Sequence, residues 1–271
     1  MTPFFLETAR GNLFALLHAA NADAVAEKAI LALPPFAEEN NRSRHVLTAC
    51  ARALAADGFD VLLLDPLGTG DSDGVFEDAS WTGWREDAVA AVRWLEARGC
   101  RTVSIAGLRA GALLAADVYR DANSGSLIFW QPVTNGRVFL RQFLRLRVAA
   151  GLTQADAPGE DTKSLEARLA SGETLEVAGY ALTSQLASEI SALTMKGLRP
   201  TPGSRVLWLE VGGAESGLSP AAGELASNWR SDGVHVVSGV ADGPPFWSLA
   251  EPEPCPDLVA ATRRLIVEAG L

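Results

Sequence analysis

Short apolar runs closed by turn residues recur along the chain at 29–33, 61–64, 102–106 and 127–130, with amphipathic stretches between them. Runs of this length predict strands buried on both faces. Leu47, Cys50 and Leu54 recur at helical spacing before Asp57-Gly58, and Trp84, Ala88, Ala91, Val92 and Leu95 stripe a second helix that stops at Gly99. Alternation of such strands and helices predicts an α/β architecture: a mostly parallel, doubly wound sheet covered by helices on both sides. Two strand-like pieces around Arg10-Gly11-Asn12 suit an antiparallel hairpin at the edge of that sheet.

The alternation lapses from Gly136 to about Pro200, where a basic run (Arg137, Arg141, Arg145, Arg147) and a helical stretch over 181–193 stand instead. It resumes with strands at 205–209 and 234–237, a helix near 221–229 and a last helix carrying Leu258, Thr262, Leu265 and Ile266 on one face. The expected organisation is a core over 1–135, a helical cap insertion over 136–200 and the rest of the core over 201–271. Residues 155–172, rich in Pro, Gly, Asp, Glu and Ser, read as a mobile loop within the insertion.

Composition narrows the partners. The chain has 271 residues, 48% of them hydrophobic, enough for one large domain with an insertion. Its 23 basic and 33 acidic residues give a net charge of −10, with the acids dispersed, which argues against a nucleic-acid partner. The cysteines Cys50, Cys100 and Cys255 are far apart without metal-like spacing and suit a reducing compartment. Residues 1–7 lack a basic segment and a sustained apolar one, and no run reaches the ~18 apolar residues of a membrane span. A cytoplasmic protein without a transmembrane segment, cofactor or metal is expected. Asp71 and Asp73 flank Ser72 in a glycine-rich turn, but two carboxylates without further ligand spacing do not define a cation site.

The chemistry centres on Gly107-Leu108-Arg109-Ala110-Gly111, between a buried strand and a helix rich in small residues. This is the form of a nucleophile elbow, with glycines two places either side of the centre so that strand and helix can approach. Arginine fills the centre. A guanidinium carries five donors and no acceptor and stays protonated, so it binds anions or polarises an oxygen but does not attack carbon.

Further strings extend the resemblance. Asp65-Pro66-Leu67-Gly68-Thr69-Gly70-Asp71-Ser72 looks like the D-x-x-G-x-G-x-S loop after the fourth strand of the α/β-hydrolase fold, and Trp84, Asp87 and Trp94-Leu95 resemble the helix that follows it there. Leu33-Pro34-Pro35-Phe36-Ala37-Glu38-Glu39-Asn40, the Gly-Leu-Arg-x-Gly elbow and Pro245-Phe246-Trp247 resemble the second of two hydrolase-like families associated with exosortase A gene sets in Gram-negative bacteria. That resemblance implies an α/β-hydrolase fold with a cap and a role in exopolysaccharide production and protein sorting to the envelope. It also implies the possibility of a protein partner in that machinery.

An active member of the fold would present Ser, Asp or Glu, then His in chain order. Here Arg109 stands in the first place, Glu210 and Glu215 are the acids available for the second, and residues 238–247 after the last strand hold no histidine. His235 reads as a structural residue of the preceding strand, and His18 and His45 fall in the hairpin and the first long helix. Ser72 suits turn geometry better than catalysis, and Cys100 reads as a small buried residue. Backbone donors are expected from the 34–39 loop and from Ala110. Glu38 or Glu39 either forms a bidentate bridge with Arg109 or caps a helix starting at Asn41 or Ser43. Phe246 and Trp247 either wall a pocket or complete the core.

The expected ligand site comprises Arg109, Glu38, Glu39, Phe36, Leu108, Ala110, Glu215, Phe246 and Trp247, and takes a small anionic or lipid- or glycan-linked molecule. Two alternatives stand beside it. One is an enzyme with Arg109 as electrophile and Glu38 or Glu39 as base, although a bridge to arginine would oppose the raised pKa a base needs. The other is a scaffold that uses the cap or the basic run from Arg137 to Arg147 to hold a partner; a homo-oligomer is among the expected assemblies.

Overall fold

The computed structural model describes residues 1–20, 24–122, 125–151, 160–213 and 217–271. Strands β1 (Thr2–Thr8) and β2 (Gly11–His18) form the expected hairpin, followed by β3 (Lys28–Leu33), α1 (Glu38–Ala56), β4 (Asp60–Leu64) and α2 (Trp81–Arg98). Next come β5 (Thr102–Leu108), α3 (Ala110–Ala122) and β6 (Leu127–Trp130). Between β6 and the following core strand lie α4 (Gly136–Gly151), α5 (Thr162–Ala170), the hairpin β7 (Leu175–Val177) and β8 (Tyr180–Leu182), and α6 (Ser184–Ser191). The chain ends with β9 (Arg205–Gly212), α7 (Pro220–Ser231), β10 (His235–Asp242) and α8 (Pro256–Glu268).

Among the described residues the sheet has eight strands in the order β1-β2-β4-β3-β5-β6-β9-β10. Only the β1–β2 and β2–β4 pairings are antiparallel. Side chains alternate across it with the two-residue period of a strand. On β3, Ala29, Leu31 and Leu33 enter the core under α2, α3 and α7, whereas Ile30 and Ala32 enter the core under α1 and α8. The same parity sends Ile105 to the first side and Ala106 and Leu108 to the second.

Three boundaries differ from the sequence reading. Of the segment 155–172 read as a loop, 155–159 lie outside the described residues, and Thr162–Ala170 is helix α5. Asp161 caps that helix by accepting from Ser164 N at 2.6 Å. The stretch 181–193 divides into β8 and α6, because Thr183 accepts from Leu186 N and starts a new helix. Strand β10 continues to Asp242 because it pairs in register with β9 up to Gly212, which shortens the loop that follows it.

The helices between β6 and β9 are tied to the core. Glu189 on α6 accepts from Trp81 N at 2.6 Å, the first amide of α2, where an anion offsets orphan donors and the helix dipole. The basic run lies on α4, with Arg141 paired to Glu166 and Arg147 to Glu160, each at 2.7 Å. No described helix is long and apolar enough to cross a membrane.

Candidate functional site

The elbow is built as its glycines require. Arg109 has φ 56, a left-handed conformation costly for a residue with a Cβ, and its amide donates to Trp130 O at 3.0 Å while its carbonyl accepts from Val133 N and Ala112 N. A Cβ at Gly107 would lie 2.2 Å from Gly111 O, and one at Gly111 would lie 2.4 Å from Pro34 O. Only hydrogen fits at either place, so β5, α3 and the loop after β3 meet backbone to backbone.

Beside the elbow lies a cavity of about 310 Å³. Phe36, Phe76, Trp81, Trp84, Leu114 and Tyr180 form its apolar wall, and Ala37, Asn40, Ala110 and Gly111 its polar end. Ala110 and Gly111 open α3, so their amides have no acceptor within the helix and the helix dipole adds positive character there. Ala37 holds φ 50 at the head of α1, a second non-glycine residue in a left-handed conformation at this edge.

The guanidinium turns the other way. Arg109 Nε donates to Glu39 Oε1 at 3.1 Å, and its centre lies 5.2 Å from the ring of Trp247, a cation–π contact. The expected bidentate bridge is thus a single contact, with Glu39 alone. Both glutamates belong to α1, which starts at Glu38 rather than at Asn41 or Ser43. Glu38 Oε2 and Glu39 Oε2 are buried without a hydrogen-bond partner among the described residues. Burial pushes Glu39 up to about 7 against the opposing pull of Arg109, and raises Glu38 as well. The arginine pulls its partner's pKa down as expected, but desolvation outweighs the bridge.

The predicted site therefore divides in two. Phe36 and Ala110 line the cavity, while Arg109, Glu39 and Trp247 form a separate cluster over the α1 side. Leu108 and Phe246 are fully buried in the core under α1 and α8 and do not line the cavity, while Phe246 backs Trp247 edge-on at 5.1 Å. Strand parity explains Leu108, since it points to the opposite face from Ile105. Glu215 lies outside the described residues. The sequence reading missed Tyr180 and Phe76 as cavity walls, because their edge-to-face contact at 5.0 Å joins segments far apart in the chain.

Other candidates have structural duties. Glu210 accepts from Ser219 N at 2.6 Å and Ser219 Oγ at 2.8 Å, fixing the head of α7. Ser72 donates to Asp65 O and accepts from Phe14 N, and Asp73 accepts from Asn12 N, bracing the edge hairpin. Burial raises the Cys50 and Cys100 thiols, the first to about 12, so neither is a thiolate near neutral pH. His235, exposed rather than enclosed, pairs with Arg205 at the amino ends of β10 and β9, and His18 pairs with Val61 at the amino end of β4. Both lie at the sheet edge opposite the elbow. His45 Nε2 meets Glu253 O at 2.7 Å, seven residues or about 10 Å along α1 from its start. No group of three or more described His, Cys, Asp or Glu residues is placed to hold a metal ion.

A mixed sheet with this strand order, helices on both faces and a strand-elbow-helix at its centre defines the α/β-hydrolase fold, and solved structures agree. Est1E from Butyrivibrio proteoclasticus, with ferulic acid bound, superposes with a TM-score of 0.68 at 15% identity, covering 98% of each chain. XC6422 from Xanthomonas campestris, an α/β serine hydrolase without a lid, gives 0.58 at 17% identity over 98% of this chain and 94% of its own. Mouse alpha/beta hydrolase domain-containing protein 10 gives 0.59 at 16% identity over 99% of each. By sequence, the family of X-Pro dipeptidyl-peptidases (S15 family) matches residues 21–140, the stretch that contains the elbow. No curated protein sequence matches significantly.

Proposed function

We propose that this chain is a hydrolase-fold protein without serine-hydrolase turnover, whose cavity binds an anionic ligand of acyl, lipid-linked or glycan-linked type. The observation that carries this reading is Arg109 at the elbow centre, in the backbone conformation of a nucleophile but with a side chain that cannot attack. The three histidines support it, two at the far edge of the sheet and one held by Glu253 O. First-turn amides at Ala110 and Gly111, an aromatic wall and a nearby guanidinium favour a carboxylate or phosphate head on an apolar body. The lipid and glycan side of the reading comes from the likeness of the 33–40, elbow and 245–247 strings to the exosortase-associated family. The reading includes cytoplasmic action beside envelope polysaccharide machinery.

The folded protein should not label with a serine-directed fluorophosphonate or turn over short-chain p-nitrophenyl esters, and Arg109→Ser should not restore either reaction. Stoichiometric labelling of a serine that disappears on unfolding would overturn this reading. Calorimetry with octanoate should detect binding, and Arg109→Lys should weaken it about tenfold, since lysine keeps the charge but loses the planar fork. An unchanged affinity would remove Arg109 from recognition.

A second reading has one observation in its favour. A carboxyl raised to about 7 is suited to general-base work near neutrality, and Glu39 has that property beside a guanidinium. Ester turnover abolished by Glu39→Gln would establish this alternative instead.

A further inference from the structure

Arg109 spends only Nε on Glu39, and its terminal amino groups have no partner among the described residues. Glu39 is the weaker half of the pair. Its side chain is 11% exposed, it receives one donor where an ionised carboxylate accepts several, and Oε2 is buried with none. An ionised acid so poorly served is costly to bury, and the structure offers it a single charge-assisted contact in return.

The groups that bear on Glu39 are few. Glu38 and Arg42 flank it on α1, Arg109 faces it from the elbow, and Tyr180 of β8 stands near Glu38. The turn that carries Trp247 presents a ring and no titratable group at this point. Of these, Arg109 makes the side-chain hydrogen bond, so losing it removes the largest charge stabilising the Glu39 carboxylate.

We propose that an anion bound by Arg109 displaces Glu39 and that Glu39 then takes a proton from solvent, so the site binds a carboxylate or phosphate head together with one proton. The inference rests on the ligand reading above and deepens it: Glu39 is a built-in carboxylate that occupies the arginine until an external anion replaces it. The exchange calls for the guanidinium to turn from Trp247 toward the cavity, whose lining includes Ala110 and Gly111, the two residues that follow Arg109 in the chain. A neutral Glu39 left behind no longer needs a cation.

The direction of the pH effect follows. Free protein already carries the proton on Glu39 below neutrality, where nothing is gained on binding; above pH 7 each ligand must bring a proton with it. Affinity should therefore rise as pH falls from 8.5 toward 7, approaching about tenfold per pH unit, and level off below about pH 6.

The test is calorimetry of octanoate, ionised throughout this range, at pH 8 in two buffers of different protonation enthalpy, repeated across pH for the wild type and Glu39→Gln. The expected result is uptake approaching one proton in the wild type. Glu39→Gln should show no uptake, no pH dependence and tighter binding at pH 8. Binding without proton uptake in the wild type overturns the inference and leaves the ligand reading standing, whether or not the variant folds. Uptake that persists in Glu39→Gln also overturns the inference. Octanoate that binds neither protein at any pH overturns both.

Discussion

Gly107→Ala should cost about 3 kcal/mol in urea unfolding, among the largest effects open to a single added methyl group in this chain. The new Cβ would meet Gly111 O, Gly111 C and Ala112 N at 2.2, 2.3 and 2.5 Å, all backbone atoms of the α3 start that cannot rotate aside. Relief requires α3 to move off β5, and the first turn of α3 also meets Pro34 O through Gly111. The cavity's polar end would move with it. Gly223, inside α7 with nothing within 4 Å of its added Cβ, is the contrasting control. There the same substitution should gain about 0.5–1 kcal/mol, because alanine loses less backbone freedom than glycine in a helix. A loss at Gly107 below about 1 kcal/mol would mean that strand and helix separate here at little cost.

Glu39→Gln should stabilise the protein at pH 8 by about 3 kcal/mol and leave it nearly unchanged below pH 4.5. The folded carboxyl is raised from 4.5 to about 7, so between those values the native state holds a proton that the unfolded chain has released. The contribution of Glu39 to stability is therefore fully present below pH 4.5 and is lost as pH rises through 7. Glutamine keeps an acceptor for Arg109 Nε and cannot ionise, which removes the slope. Urea unfolding of both proteins at pH 5 and pH 8 checks this; parallel slopes would show that Glu39 titrates in the ordinary carboxylate range. A group that costs stability at neutral pH is what a site held for function looks like.

The core strands and most helices were legible because both faces of the sheet are covered, which leaves short, almost wholly apolar runs such as Leu127–Trp130. The elbow was legible because two glycines at fixed spacing have one steric explanation. Pattern alone did not separate β8 from α6, since Tyr180-Ala181-Leu182 is too short to show a period. Nor did it assign Leu108 to its face, because every residue of that strand from Val103 onward is buried and the burial pattern carries no alternation. Glu38 and Glu39 were recognised as partners for Arg109, yet the balance between them was invisible. It depends on how much water each carboxylate loses, a property of the packed neighbourhood rather than of the residue.

For the ligand proposed above, the grip of Glu189 on the head of α2 bears on how fast it would enter and leave. With α6 pinned to the core at 2.6 Å, the cavity cannot open by swinging the segment between β6 and β9 away unless that contact breaks. The softer seam is Tyr180 against Phe76, two rings in edge contact whose parting needs only a short hairpin to breathe. Residence time should then be set by aromatic side chains on a three-residue strand, so that trimming Tyr180 would accelerate entry and exit alike while changing equilibrium occupancy far less.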